Sequence, residues 1–236
     1  MKVSFVIPSK NCAAWLPHAV SSVLKQDRDC EIVIVNDGST DSTAEYLVWL
    51  HEKHPETIIY HASALGRSKA RNIGNELATG DIICVLDADD IASPDRAKKT
   101  IEKISKGAQF VYGTAEMMDF SGTKLKTLQA DVFNLDKALE RGTNGIVHST
   151  VAYTKGIAKK FPYSEEPEIS DNGLDDWFLE LQIAKAKIPI DFIPTPIAGY
   201  RVLQSAISST RDPKIVDAVK SKYLKRYSPM LEFAKP

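Results

Sequence analysis

The strongest local signal in the sequence is DIICVLDADD at residues 81–90, where a short buried strand runs directly into three carboxylates. Five of its first six residues are apolar, which is typical of a strand covered on both faces of a parallel sheet. Asp87, Asp89 and Asp90 follow, and like charges this close repel one another. A loop keeps such charges when a cation or a hydrogen-bonded ligand compensates them, and oxygen ligands suit Mg²⁺ or Mn²⁺. The alternative is an acidic helix N-terminus, since Pro94 opens a helix soon afterwards.

Strand-like and helix-like segments alternate around this stretch over the first 120 residues. The pattern predicts strands at 3–7, 31–35, 57–60, 81–86 and 110–118, and helices at 14–26, 40–51, 68–78 and 94–106. This alternation predicts an α/β fold with a doubly wound, mostly parallel sheet and helices on both faces. Such sheets bind ligands at the carboxyl ends of their strands, so the polar loops after residues 7, 35 and 86 are the first candidates for a site.

The second half of the chain is less regular. Its pattern predicts a strand at 146–153 and a helix at 174–186. An extended edge segment is expected at 190–200, because Pro194 and Pro196 suit the edge of a sheet. A terminal helix then begins at proline 213.

Composition narrows the functional classes. A chain of 236 residues has room for one large α/β domain or two small ones, and 43% hydrophobic with 26% charged residues is usual for a soluble globular protein. The net charge of −1 argues against duplex nucleic acid as a partner. Basic residues at 214–235 form either a solvated helix face or a contact with an anionic surface, so peripheral membrane contact stays open.

The three cysteines indicate a reducing compartment. Cys12, Cys30 and Cys84 have neither zinc-site spacing nor histidine companions, and a cytoplasmic location fits them best. Cys84 lies in an apolar run and is expected to be buried. Pro8 interrupts the first apolar segment before it reaches signal-peptide length.

Five motifs occur in a fixed order along the chain. They read VIPSKN at 6–11, VNDGSTD at 35–41, GRSKARN at 66–72, LDADD at 86–90 and LDDWFLELQIAKAKIPIDFIPTPIAGYRV at 174–202. Each alone has a local explanation as a turn, a strand end or a helix start. As a set they resemble the family 2 glycosyltransferases of the GT-A fold. The resemblance implies a single GT-A domain over 1–236, with a donor half at 1–120 and an acceptor half with the C-terminal helix at 121–236.

The resemblance implies a donor site in the first half. Pro8 and Asn11 would lie in the loop over the nucleotide base. Asp37 would accept a hydrogen bond from the imide N–H of uracil. Arg67 falls in the region that contacts base or phosphate, and Asp87 would hold the ribose or the water shell of the metal.

The resemblance also implies a metal ligand and a catalytic base. Asp89 would bind Mn²⁺ or Mg²⁺ directly, and a metal neutralises the leaving nucleoside diphosphate. Asp176, the second acid of a pair with Asp175, would take the proton of the acceptor hydroxyl. The alternative for this acidic pair is helix N-terminal capping.

Two features depart from the family pattern. Relatives place a histidine shortly after the segment equivalent to Tyr200-Arg201, and this chain has none there, so Gln204 or water would replace it as a ligand. Asp175 stands where a glutamate is common. His148 falls on the acceptor side, where a structural and a catalytic role are both open.

The implied activity is inverting transfer of a sugar from a UDP-linked donor to the hydroxyl of a glycan, a lipid-linked glycan or another acceptor. A sugar-phosphate nucleotidyltransferase is the enzymatic alternative, but residues 8–13 lack its glycine-rich, arginine-containing loop. A dinucleotide dehydrogenase would need GxGxxG at the same place. A non-catalytic module that binds nucleotide or glycan remains the third possibility.

Overall fold

The computed structural model describes residues 1–128, 145–203 and 212–227. Its strands are β1 (Val3–Ser9), β2 (Glu31–Asp37), β3 (Ile58–Ala62), β4 (Ile82–Val85), β5 (Ile91–Ala92), β6 (Phe110–Met118), β7 (Lys124–Leu128), β8 (Ala152–Thr154) and β9 (Ile190–Arg201). Its α-helices are α1 (Leu16–Leu24), α2 (Thr43–Lys53), α3 (Arg67–Leu77), α4 (Arg96–Ser105), α5 (Lys155–Lys160), α6 (Pro167–Ser170), α7 (Asp175–Lys185) and α8 (Pro213–Tyr227). A 3₁₀ turn spans His148–Thr150.

The described strands form one sheet in the order β3-β2-β1-β4-β8-β6-β9-β5, with β7 paired to β6. The first four strands are parallel, as the alternating pattern predicts. Strand β8 is antiparallel to both β4 and β6, while β9 runs parallel to β6. The α/β class is therefore confirmed, with a parallel first half and a mixed second half.

Helices cover both faces of the sheet because the strands alternate their apolar side chains between them. Phe5 and Ile7 of β1 pack into the same core as α1 and α2. Val6, between them in sequence, packs into the opposite core with Leu179 and Ile183 of α7. Period-two alternation is expected of any strand buried on both faces.

Two predictions for the second half need correction. The segment predicted as a strand at 146–153 begins with the 3₁₀ turn, because Thr150 Oγ1 donates to the carbonyl of Val147 and the backbone closes locally. The segment predicted as a sheet edge at 190–200 is β9, which has β6 on one side and β5 on the other. Its prolines are tolerated since the β6 register shifts there and β5 pairs only farther on, at Ala198 and Gly199.

In the described residues, no helix is both long enough and apolar enough to cross a membrane. Cys84 is fully buried, as expected from its apolar run.

Candidate active site

The acidic loop after β4 is fixed by hydrogen bonds from the 3₁₀ turn before β8 and from α3. The backbone N–H of Asp87 donates to Ser149 Oγ at 3.0 Å. Its Oδ1 accepts from Arg71 Nη2 at 2.6 Å. Burial alone would raise the pKa of Asp87, but the Arg71 charge outweighs it and holds that pKa below its ordinary value. Asp87 is therefore an ionised carboxylate that already has a cationic partner.

Asp89 and Asp90 lie in different environments although they are adjacent. Asp90 is buried, accepts from the backbone N–H of Arg201 at 2.8 Å, and has a raised pKa because of burial and the charge of Asp89. Asp89 is half-buried, and burial together with the charge of Asp87 raises its pKa to about 6. A bound cation would favour the ionised form of Asp89.

Arg201 holds this loop against the end of β9. Its Nε donates to the Asp89 carbonyl at 2.9 Å, and its Nη1 donates to the carbonyls of Asp119 at 3.1 Å and Phe120 at 2.7 Å. The guanidinium also lies 4.7 Å from the centre of the Trp15 ring. The residue is only 4% exposed. Arg201 thus fixes the backbone that carries the predicted metal ligand.

The loop after β2 is anchored by Asp37. Its two carboxylate oxygens accept from the backbone N–H groups of Leu65 at 2.5 Å and Gly66 at 2.9 Å. Gly38 adopts φ 68°, and a Cβ there would stand 2.7 Å from the backbone nitrogen of Ala64. Only glycine fits this close approach. Asp37 is thus buried and holds the entry to α3, and its predicted contact with a base stays a prediction.

The loop after β1 contacts the same region. Asn11 Oδ1 accepts from the backbone N–H of Thr40 at 2.7 Å, and the Asn11 N–H donates to Ser39 Oγ at 2.9 Å. Asn11 has φ 52°, a conformation that asparagine tolerates better than most residues. Pro8 lies within β1 beside Val35. The structure thus brings the VIPSKN and VNDGSTD motifs together at the carboxyl ends of β1 and β2.

Asp175 is paired rather than free. It is fully buried, and its two oxygens accept from Arg67 Nη2 and Arg71 Nη1. Burial would raise its pKa, but the two arginines hold that pKa well below the ordinary value. Since Arg71 also binds Asp87, one guanidinium joins the acidic loop to the start of α7. Arg67 faces Asp175 here, and its predicted contact with base or phosphate stays a prediction.

Asp176 differs from its neighbour. It is half-buried, and its Oδ1 accepts from the backbone N–H of Trp177 at 2.7 Å. In the described part of the chain it forms no salt bridge, whereas Asp175 forms two. Asp176 is therefore the acid of the pair that keeps acceptor capacity for a ligand.

Three residues near the acidic pair escaped the sequence analysis: Arg71, Tyr163 and Glu180. Arg71 lies one turn after Arg67 in the GRSKARN motif, and this i, i+4 spacing was the available signal. Tyr163 forms a hydrogen bond with His148 Nε2 at 2.8 Å. His148 is buried, and burial with the nearby Arg71 charge lowers its pKa to about 4.

The side chains near the acidic loop could supply part of the coordination shell of a metal ion. Among the described residues, no group of three His, Cys, Asp or Glu side chains converges on one point. Among the described residues, Asp89 and the second oxygen of Asp87 would be the ligands available to such a metal, and both are the hard oxygen type that Mg²⁺ and Mn²⁺ prefer. These residues fit a metal whose remaining ligands are diphosphate and water. Gln204, the suggested substitute ligand, lies outside the described residues.

The fold is that of the GT-A glycosyltransferases. S. aureus TarS in complex with UDP-GlcNAc superposes with a TM-score of 0.70 at 18% identity, over 93% of this chain and 64% of the TarS chain. The mannosyltransferase PcManGT from Pyrobaculum calidifontis, in complex with GDP-Man and Mn²⁺, has a TM-score of 0.64 at 16% identity, over 94% and 69%. At these identities the likeness concerns the fold alone.

Sequence comparison gives the family. Residues 4–171 match the family described as Glycosyl transferase family 2. An uncharacterised glycosyltransferase of Nostoc sp. is 41% identical over 105 residues, which are 43% of this chain and 32% of that protein. Chondroitin synthase of Pasteurella multocida is 36% identical over 105 residues, 44% of this chain and 11% of the synthase. The chain belongs to glycosyl transferase family 2, and it matches less than half the length of these relatives.

Proposed function

We propose that this chain transfers a sugar from a nucleoside diphosphate donor, with UDP as the nucleotide, to a hydroxyl acceptor and inverts the anomeric centre. The observation that carries the proposal is the bridge formed by Arg71 between Asp87 and Asp175. It joins the acidic loop to the start of α7, and within the described residues Asp176, beside the bridge, forms no salt bridge. A transferase needs those two functions, donor binding and proton removal, in one cleft.

The donor is assigned to the loops after β1, β2 and β4. Asn11 and Asp37 fix the loops in which the base would lie, and Asp87 would receive the ribose or a metal-bound water. Support comes from the fold, since TarS with the same fold was crystallised with UDP-GlcNAc. The donor half at 1–120 contains all these loops.

The metal, Mn²⁺ or Mg²⁺, is assigned to Asp89 with Asp87 beside it. When bound, the ion would neutralise charge on the leaving diphosphate. Arg201 holds the Asp89 carbonyl and thereby the backbone of the ligand. PcManGT, of the same fold, was crystallised with Mn²⁺.

The role of catalytic base is assigned to Asp176. Its task is to accept the proton of the acceptor hydroxyl as the oxygen attacks the sugar, so it must be ionised and within hydrogen-bond reach. Asp175 meets the first condition but not the second, because it is fully buried and both of its oxygens bind arginine. We assign Asp175 to positioning the start of α7.

The acceptor is assigned only by class, as a hydroxyl of a glycan, a lipid-linked glycan or another molecule bound by the half at 121–236. Peripheral membrane contact through the basic face of α8, which carries Lys214 and Lys222, is part of this proposal. On this face, Lys222 forms a salt bridge with the carboxylate of Glu168.

A thermal-shift panel tests the proposed function. UDP, GDP, ADP and their common sugars are each added with Mn²⁺ or with EDTA. A selective ligand at a hundredfold excess over its Kd stabilises the fold by about 2.7 kcal/mol. We expect selective stabilisation by UDP and a UDP-sugar with Mn²⁺. When the stabilising UDP-sugar is then assayed for turnover, we expect slow release of UDP. Stabilisation without any turnover of the donor would favour a binding module instead.

A further inference from the structure

A buried carboxyl group lies directly below the proposed base. Glu180 is one helical turn after Asp176 on α7 and is 2% exposed. Among the described residues, neither of its side-chain oxygens has a hydrogen-bond partner, and the group in salt-bridge range is the His148 imidazole, which is a cation only when protonated. His148 Nδ1 lies 3.6 Å from Glu180 Oε1, and this nitrogen also has no hydrogen-bond partner among the described residues. An ionised carboxylate in this position would be strongly disfavoured.

The direction of the neighbouring hydrogen bonds can be deduced from their far end. Tyr153 Oη donates to Asn75 Oδ1 at 3.2 Å, so its single proton is used. Tyr163 Oη must then be the donor to Tyr153 Oη, at 3.2 Å. With the Tyr163 proton used as well, His148 Nε2 must donate to Tyr163 Oη at 2.8 Å.

This direction fixes the tautomer of His148. A neutral imidazole that carries its proton on Nε2 has a bare lone pair on Nδ1. That lone pair faces Glu180, and a buried acceptor needs a donor. Among the described residues, the group that faces this lone pair and can donate is the protonated carboxyl of Glu180, which must approach slightly from 3.6 Å to complete the hydrogen bond.

The charges around the pair favour this proton location. Glu180 faces Asp176 and Asp175 from its own helix and Arg71 from α3, and burial with the two acids raises its pKa. His148 faces Arg71, whose charge together with burial lowers the histidine pKa to about 4. Asp87, Asp175 and Asp176 act in the opposite sense on His148 and are outweighed.

We propose that Glu180 is a neutral carboxylic acid that donates a hydrogen bond to His148 Nδ1. The hydrogen-bonded groups that run from Glu180 through His148 to Tyr163 are then uncharged, and they lie next to Asp176. Glu180 is then a positioning residue for the proposed reaction, and this part of the inference rests on Asp176 being the base. Ionisation of Glu180 at alkaline pH would add a negative charge near Asp176 that, unlike the charge of Asp175, no arginine compensates among the described residues, and it would remove the donor to His148. Transfer would decline as that proton is lost.

Nitrogen NMR of the ¹⁵N-histidine-labelled full chain tests the proton location without any activity measurement. The four other histidines are exposed or half-buried, and single His→Gln variants assign them. We expect His148 to stay neutral with the proton on Nε2 between pH 6 and 8. A doubly protonated imidazolium over this range would place the proton on His148 and overturn the proposal.

The variant Glu180→Gln tests the role, because an amide also donates to Nδ1 but carries no ionisable proton. We expect its Tm to be near that of the wild type at pH 5. A carboxyl with a raised folded pKa loses its stabilising contribution as pH rises above the unfolded value of about 4.3. The Tm difference, variant minus wild type, should therefore grow toward pH 9. Glu52→Gln, the same change at an exposed site of α2, should give a difference that does not change with pH.

Turnover separates this inference from the proposed function. For UDP release from the best donor, the alkaline decline of the wild type should be absent or shifted upward in Glu180→Gln. An unchanged decline, or a Tm difference independent of pH, would contradict the role of Glu180. If Asp176→Asn proved active, the assignment of Asp176 as catalytic base would fail, but the NMR and Tm results for Glu180 would still hold. Failure of the proposed function and failure of this inference are therefore distinguishable.

Discussion

The guanidinium of Arg71 and the carboxylate of Asp175 form a buried ion pair between residues 104 positions apart in the chain. The pair brings α3 of the first half against the start of α7 in the second. Because Arg71 also binds Asp87, its side chain connects the two parts of the site.

Asp175→Asn should lower stability strongly. Removing one partner of a buried pair leaves an uncompensated charge and costs roughly 3–5 kcal/mol. For a chain of this size, each kcal/mol corresponds to roughly 2–4 °C in Tm. Thermal unfolding at pH 7 measures the loss, and Asp176→Asn, the adjacent half-buried acid, is the matched control with a much smaller change.

Acid should reduce the difference between the wild type and Asp175→Asn. The folded pKa of Asp175 is depressed, so its contribution is present above the unfolded value of about 3.9 and is lost as pH falls through the folded pKa. Tm measured from pH 7 to pH 2 should show the two curves converging below about pH 4. Curves that stay parallel throughout would remove the ionised Asp175 from this account.

Asp37→Ala should weaken UDP binding and lower stability together. The substitution removes the acceptor of the Leu65 and Gly66 N–H groups, and a lost hydrogen bond to a charged group costs about 1.5–3 kcal/mol, less where water replaces the acceptor. Asp37→Asn keeps one accepting oxygen and should lose less of both. Calorimetry with UDP checks the affinities, with the exposed Asp29→Asn as control. Unchanged affinity in both Asp37 variants would take this residue out of the donor site.

Asp89→Asn should sharply reduce the Mn²⁺-dependent part of UDP binding while the fold stays intact. The change removes one charge from a half-buried acid of the loop after β4 that forms no salt bridge with the described residues. Titrations with UDP in Mn²⁺ and in EDTA measure the effect, and Asp217→Asn on the exposed face of α8 is the control. Equal binding of UDP by the wild type in excess chelator would show that the metal assignment is wrong.

Local patterns were sufficient for much of the first half. The strand at 110–118 was predicted with the bounds that the structure has, and the acidic run lies at the carboxyl end of β4 as expected. Period-two alternation and helix caps act over a few residues, so a sequence reports them directly. The resemblance to family 2 then extended this prediction to the fold of the whole chain.

Contacts between distant residues were not predictable in this way. Nothing near Arg71 indicates that Asp175 is its partner, because the pairing exists only after α3 and α7 pack on the same face of the sheet. Glu180 was overlooked since a charged residue within a helix is usually assigned to its solvated face. The edge prediction for β9 fails only at Ala198 and Gly199, where β5 pairs with it, because a strand of two residues is too short to predict from a pattern.

The most direct test of the account is the rate of UDP release by Asp176→Asn with the donor that stabilises the wild type best. A general base contributes roughly 10²–10⁴-fold to the rate. We predict a loss of that order with unchanged donor affinity and a Tm close to that of the wild type. Near-normal turnover of Asp176→Asn under the same conditions would contradict the assignment of the base and, with it, the central claim.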